Sequence, residues 1–389
     1  MDFMNILQLL GWATVGAVMI LFALTGGFDF GAGILLPFVA KNDEERRVVV
    51  NTVGPTWDGN QVWLITAGGA IFAIWPRVYA ASFSGFYFAF LMVLWALFLR
   101  PVSFEYRSKM PSQKWRSFWD WALFVGSLLP ALLIGVAIGN LFLGVPFQYD
   151  PITLRFFYGS SMQDTNAMID LFGLLRPFAL FTGVVSVVMM IMHGASYLCM
   201  RTEGAVYARC KAAQRSAALV LIVLFAVGGL ILMKMTGQHI IFSSDALNHP
   251  LNGVVTASQG GWLSNYNRYP FMILAPIAGF LGALGVRYFS KKRAVVRAFL
   301  ASSLALIGVI STMGLSLYPF IMPSSNFPAQ SLEVYNASSS QTSLMGILIV
   351  AVVMLPIIFV YTAFVYKKLW GRGERMSVER IRAEGQLFY

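Results

Sequence analysis

Charge is what this chain has least of. Of its 389 residues only 12% are Asp, Glu, Lys or Arg, against 58% hydrophobic, and the mean hydropathy is +0.69. A soluble domain carries about 25% charged residues. A globule this poor in charge would expose apolar surface far beyond what a monomer tolerates, so the chain reads as an integral membrane protein. Cysteine is nearly missing as well. Cys199 and Cys210 are the only two; they exclude a disulfide-stapled scaffold, show no CxxC spacing, and read as reduced thiols without a redox role. An aromatic content of 15% excludes a disordered chain. No Lys or Arg precedes Lys41, so the basic region of a secretory signal is lacking and the first apolar run is expected to stay as a helix.

What is present is apolar sequence in long runs. A hydrocarbon core of about 30 Å needs about 20 apolar residues per helix. Runs at 8–40, 55–75, 78–99, 118–146, 169–200, 214–236, 270–288, 296–322 and 341–366 predict an all-α integral membrane protein of nine transmembrane helices, a single polytopic domain over 1–389. The first run has room for one long tilted helix or for a helix broken near Gly26-Gly27. The second places Pro55 at its first helical position, where the missing N–H costs nothing.

The net charge of +11 is explained by where the cations lie. Of 28 Lys and Arg, 23 fall in alternate connections and the C-terminal tail; Arg77, Arg155 and Arg268 fall in the other connections, and Arg176 and Lys234 in the apolar runs. Cytoplasmic loops collect Lys and Arg. The N-terminus is therefore expected outside and the C-terminus inside, with no need for a nucleic-acid partner. The outer connections at 147–168, 237–269 and 323–340 carry no basic patch and no metal-ligand cluster, and no short-period repeat is visible.

Three histidines set a limit on cofactor chemistry. His239 and His249 lie in an outer connection, and His193 lies in the fifth run. A bis-His haem site needs two facing membrane histidines and a haem–copper centre more. His193 thus reads as a buried imidazole bonded to a neighbouring helix or lipid headgroup, and the 19 Met as packing.

The acids carry more. Asp29 lies inside the first run, in Gly27-Phe28-Asp29-Phe30-Gly31; Asp58 opens the second, in Trp57-Asp58-Gly59-Asn60-Gln61; Glu105 follows the third; Asp120, between Trp119 and Trp121, begins the fourth. An ionisable group in a span costs about 2.5–3.5 kcal/mol on insertion scales and marks proton or ion pathways. Each has a structural counterpart. Asp58 with Gln61 has capping-box spacing, Glu105 has Arg100, Arg107 and Lys109 as neighbours, and Asp120 has the look of an interfacial anchor. Asp29 has no such role unless the helix breaks at Gly26-Gly27. Gly68-Gly69, Gly279, Gly282 and Gly285 suit close helix contacts. Trp57, Trp63, Trp75, Trp95, Trp119 and Trp121 suit either an interface belt or a wall for an isoprenoid chain. Asn336-Ala337-Ser338 matches a glycosylation sequon by chance.

Gly27 to Gly31, the block from Trp57 to Gly69 (WDGNQVWLITAGG), Arg100-Pro101 with Phe104-Glu105-Tyr106-Arg107, and Pro319 to Ser325 together resemble subunit II of the bacterial cytochrome bd quinol oxidases. The likeness runs from the first span to the last. It implies two four-helix bundles plus one peripheral helix, paired with a related subunit I that ligates haem b and haem d and holds the quinol site. Small single-span subunits can accompany that heterodimer, along with lipid and a structural quinone; Trp57 and Trp63 are candidates for quinone contact or packing. The implied activity is oxidation of membrane quinol with reduction of O2 to water, without proton pumping, in the bacterial inner membrane. The family's cytoplasmic proton path matches Asp58, Asp29 and, more loosely, Glu105. Members carry Asp where this chain has Gly26, which removes one relay position, and Asp where it has Glu105, which keeps the charge on a longer arm. A proton-coupled secondary transporter using Asp29 and Asp58 and a purely structural scaffold are the rival classes.

Overall fold

The computed structural model describes residues 2–150, 155–158, 171–241, 254–369 and 375–384. His249, Arg372 and parts of two outer connections lie outside them.

The first element, α1 (Phe3–Val39), is one helix of 37 residues. It runs through Gly26-Gly27 unbroken, so the discontinuity that would favour a transporter is not there. After it comes α2 (Asp43–Val53), a short helix absent from the hydropathy pattern. Asn42 caps it by accepting a hydrogen bond from Glu45 N, and Asp43, Glu44 and Glu45 fill its first turn, where carboxylates complement the helix dipole. Gly54-Pro55-Thr56 then form a turn and α3 (Trp57–Ile74) begins at Trp57, so Pro55 precedes the helix instead of starting it.

The third run divides at Phe86 into α4 (Pro76–Gly85), with proline at its first position, and α5 (Tyr87–Tyr106). That shift carries the helix past Pro101 and puts Arg100 inside it. Next come α6 (Gln113–Leu143), β1 (Phe147–Tyr149), β2 (Phe156–Tyr158), α7 (Leu171–Leu174), α8 (Pro177–Arg201) and α9 (Gly204–Lys234). Arg176 therefore lies outside α8, and α9 starts ten residues ahead of the apolar run, its first turns carrying Arg209 and Lys211. The chain continues with β3 (Thr236–Ile241), β4 (Val254–Gln259), α10 (Ser264–Arg268), α11 (Leu274–Lys291) and α12 (Val295–Leu317). It ends with β5 (Phe320–Met322), β6 (Leu332–Glu333), α13 (Gln341–Leu369) and α14 (Val378–Glu384). The eighth run loses its last residues to β5, since Pro319 ends helical pairing.

Eight helices among the described residues are long and apolar enough to cross a membrane: α1, α5, α6, α8, α9, α11 with its lead-in from Pro270, α12 and α13. The 18 residues of α3 open with Asp58, Asn60 and Gln61, which lowers its apolar content.

The protein is an all-helical membrane fold centred on α1, which packs on α3, α6, α8, α12 and α13. One group joins α1, α3, α5 and α6; a second joins α8, α9, α11 and α12; α13 lies outside against α1 and α3. Close approach is built on glycine where expected between α11 and α12: a Cβ on Gly282 would lie 2.3 Å from Ala305 N. It is not built on Gly68-Gly69, where an added Cβ meets nothing within 4 Å. The tryptophans do not form one belt. Trp63 and Trp75 are core residues, 3% and 1% exposed, whereas Trp95 and Trp121 are exposed.

The three two-stranded sheets (β1 with β2, β3 with β4, β5 with β6) are antiparallel and gather at the end opposite the cations. Trp75 Nε1 donates to Val334 O and Trp262 Nε1 to Phe142 O, tying these loops to the helices. Asn336 closes a turn there, donating to Ser331 O and accepting from Glu333 N.

Candidate functional site

Successive residues of α1 diverge by about 100°, so Phe28, Asp29 and Phe30 address different neighbours. Phe28 stacks on Tyr197 of α8 with ring centroids 4.1 Å apart. Phe30 joins Val18, Phe22, Trp63 and Ala67 in an apolar cluster. Asp29, between them, meets α3: Asn60 Nδ2 donates to Asp29 Oδ2 at 2.6 Å. Tyr366 of α13 donates its hydroxyl to Asn60 Oδ1, so three helices meet at one buried amide.

Arg100 completes the group. It is 1% exposed, like Asp29, and its guanidinium carbon lies 4.2 Å from the Phe30 ring centroid. It interacts electrostatically with Asp29, yet none of its three guanidinium nitrogens has a hydrogen-bond partner, and neither has Asp29 Oδ1. Leaving buried polar groups unpaired costs about 1–3 kcal/mol each and more for charges. Natural structures keep such groups where a water, an ion or a reaction uses them.

The other sequence candidates lie elsewhere. Asp58 and Glu105 are both exposed. Asp58 is two residues from Asn60, about 200° around α3, so it faces away from α1. It is also not a cap, because Thr56 holds the N-cap position of α3. Among the described residues Glu105 makes no ion pair; its expected partner Arg107 binds Asp120 through Nε at 2.6 Å and Asp43 through Nη2 at 2.8 Å. Trp57 stacks on Phe104 with centroids 5.2 Å apart.

Asp120 is no interfacial anchor. It is 1% exposed and bound by Arg46 and Arg107, and Arg116 extends the network through Asp43. Nearby, Arg209 of α9 grips Glu45, bridging the two helix groups and holding that carboxyl below the usual glutamate range. This network, Asn60, Arg100 and Tyr366 escaped the sequence reading. Arg100 looked like a loop cation because Pro101 follows it, and only a helix continuing through that proline reveals its depth.

His193 is a buried structural group. Its Nε2 lies 2.9 Å from Leu24 O and its Nδ1 2.8 Å from Ser302 Oγ. A carbonyl only accepts, so Nε2 carries the proton and Nδ1 faces the hydroxyl. The ring also stacks on Phe299 with centroids 4.9 Å apart.

These features have relatives. The profile of the family described as cytochrome bd terminal oxidase subunit II matches residues 7–369. The chain belongs to that family. It is 46% identical over 379 residues to the cytochrome bd-I ubiquinol oxidase subunit 2 of Escherichia coli strain K12, covering 97% of each chain. It is 32% identical to the cytochrome bd ubiquinol oxidase subunit 2 of Bacillus subtilis, covering 94% of this chain and 98% of that one. Among solved structures, a chain of the bd oxidase from Geobacillus thermodenitrificans shares the fold with a TM-score of 0.63, covering 94% and 98% at 11% identity.

A bd oxidase subunit II belongs to a haem-containing complex, and the haem can be tested against this chain's own groups. Both nitrogens of His193 are engaged, and His239 sits on β3 beside Thr256 and Ser258. Among the described residues no three His, Cys, Asp or Glu side chains converge on a metal position. Either described histidine would have to give up one of these hydrogen bonds to serve as an axial ligand.

Proposed function

We propose that this chain is the haem-free subunit of an inner-membrane quinol oxidase and that it supplies a route for protons to the site of O2 reduction. Two quinols release four electrons and four protons; one O2 takes four electrons and four protons to give two waters, and no proton is pumped. On this reading haem b, haem d and quinol oxidation belong to subunit I. The outer loops or the exposed helix faces accommodate any structural quinone or small single-span subunit. The spans number nine, α3 included, with the N-terminus outside.

The observation that carries the proposal is Asp29, a carboxylate fully buried deep in α1, fixed through one oxygen by Asn60 and unpartnered at the other. An acid this costly in a membrane protein is retained for use. Asp58, exposed at the basic end of α3, takes protons from water, with Glu105 as a second exposed acid at the end of α5. On the other side of α3 from Asp58, the polar stretch of Thr56, Asn60 and Tyr366 leads inward to Asp29, and a proton taken up at Asp58 reaches it through water around the start of that helix. Arg100 balances the charge when Asp29 is ionised and so lets the site alternate between protonated and ionised forms. Trp63, packed among apolar side chains, supports the packing alternative for that residue, and the Trp57–Phe104 stack supports the same for Trp57.

The test is Asp58→Asn in the assembled complex. Asp58 lies inside α3, past its N-cap position at Thr56, so the amide removes no N-cap residue. We expect full haem content with O2 consumption slower by about 10²-fold, the lower end of what a positioned proton carrier contributes. Full turnover in a complex with all its haem would take Asp58 out of the route.

A further inference from the structure

The cations at the basic end fall into two groups with opposite accounts. Around α2, α5 and α6, and at the start of α9, Arg46, Arg107, Arg116 and Arg209 each hold a carboxylate at 2.6 to 2.8 Å. Around the α11–α12 turn there is no such partner. Between Glu203 and Glu333 the sequence contains a single acid, Asp245, in the connection at the opposite end. Yet Arg215, Arg287, Lys291, Lys292, Arg293 and Arg297 converge on this corner, and none makes an ion pair among the described residues.

Arg287 Nη1 donates to the backbone oxygen of Arg215 at 2.9 Å, which fixes the Arg287 side chain where α11 packs on α9. Arg215 Nε is inaccessible and has no partner. Beneath the turn Ser290, 4% exposed, has a hydroxyl with no partner. The turn itself holds Arg293 at φ 54 and leads into the 23-residue α12, whose N-terminus has no side-chain cap. Exposed N–H groups and the helix dipole at that end favour an anion. Directly below, Leu284, Tyr288, Val296 and Leu300 present exposed apolar side chains, the surface that lipid tails cover.

We propose that this corner binds an anionic phospholipid of the surrounding bilayer. Its phosphate sits against Arg215, Arg287 and the α11–α12 turn, and its tails lie along the exposed faces of the two helices. The lysines and arginines of the turn offer room for a second phosphate, so the two-phosphate class, diphosphatidylglycerol, is the favoured ligand. Basic clefts between transmembrane helices recognise such headgroups by this combination of charge and apolar surface. A free anion would use only the charge, whereas the lipid uses both.

The experiment is native mass spectrometry of the delipidated complex titrated separately with diphosphatidylglycerol, phosphatidylglycerol, phosphatidylethanolamine and inorganic phosphate. The parent should bind diphosphatidylglycerol most tightly and phosphatidylethanolamine weakly. The triple variant Lys291→Gln, Lys292→Gln, Arg297→Gln alters only exposed side chains and should keep its haem content and detergent Tm. Its affinity for diphosphatidylglycerol should fall by about 100-fold, three cations near an anionic headgroup being lost. Arg215→Gln with Arg287→Gln should weaken binding independently. Equal lipid affinity in parent and triple variant would overturn the proposal. So would phosphatidylethanolamine binding as tightly as the anionic lipids, or inorganic phosphate displacing the lipid.

Discussion

His193 and Asp29 are both buried, polar and expensive, and they differ in what is left over. Every hydrogen-bonding position of the His193 ring is used, by Leu24 O and Ser302 Oγ, and this ties α8 to α1 and α12. Asp29 and Arg100 keep unpartnered atoms. A satisfied group specifies packing; an unsatisfied one is available for chemistry. His193→Ala should therefore lower the stability of the complex by about 2–5 kcal/mol, through a cavity and two lost hydrogen bonds, and leave every haem band in the visible spectrum intact. Loss of one band in an otherwise assembled complex would contradict the structural role. The sequence made Asp29 legible because a carboxylate interrupts an apolar run. Arg100 was not legible, since an arginine followed by proline reads as a helix end. Asn60 was not either, since a neutral amide in a polar first turn gives no sign of what it faces.

At the scale of elements, helix existence followed from hydropathy and helix ends did not. The extension of α5 beyond Pro101 goes with close packing on α6, where Gly126 faces Ala96, Leu99 and Arg100, and no local pattern encodes it. The short α2 is too charged to register as a span, yet its carboxylates hold the basic end together. Contacts divide the glycines in the same way. A Cβ on Gly31 would sit 2.0 Å from Met190 O, and one on Gly194 would sit 2.5 Å from Gly31 C, so α1 and α8 cross backbone to backbone two residues from Asp29. Gly194→Val should force the helices apart at a cost of about 1–3 kcal/mol or more, seen as a lower Tm and a smaller yield of assembled complex. Gly68→Ala, with open space around it in this chain, should leave the Tm of the subunit unchanged or raised, because alanine is the better helix former. An equal loss in both variants would mean that the α1–α8 crossing is not special.

For the whole molecule, the direction of the chain through the membrane decides whether the proton reading can hold. The proposed orientation rests on a charge asymmetry, and the structure places its exceptions. Arg176 immediately precedes α8 and Lys234 ends α9, so both join Arg77, Arg155 and Arg268 at the end with the three small sheets. With Arg100 buried inside α5 and Arg372 outside the described residues, the remaining 21 of the 28 lie towards the other end. Insertion retains such an end in the cytoplasm because moving lysine and arginine across the bilayer is costly. On the proposed orientation Asp58 and Glu105, on the basic side, meet cytoplasmic water, and Asp29 lies deeper from the same side. A reporter active only in the cytoplasm should be silent when fused after Trp262, which packs under the sheets against Phe142 and Phe320, and active when fused after Arg293 in the α11–α12 turn. Only one candidate span, α11 with its lead-in, lies between the two fusion points, so a single crossing converts one result into the other. The reverse pattern would put Asp58 outside, where a proton entering at α3 would have come from the wrong compartment for water formation without pumping. It would also move the six unpaired cations of the α9–α11–α12 corner to the outer leaflet. Their lipid affinity would survive that inversion, whereas the proton route from Asp58 to Asp29 would not.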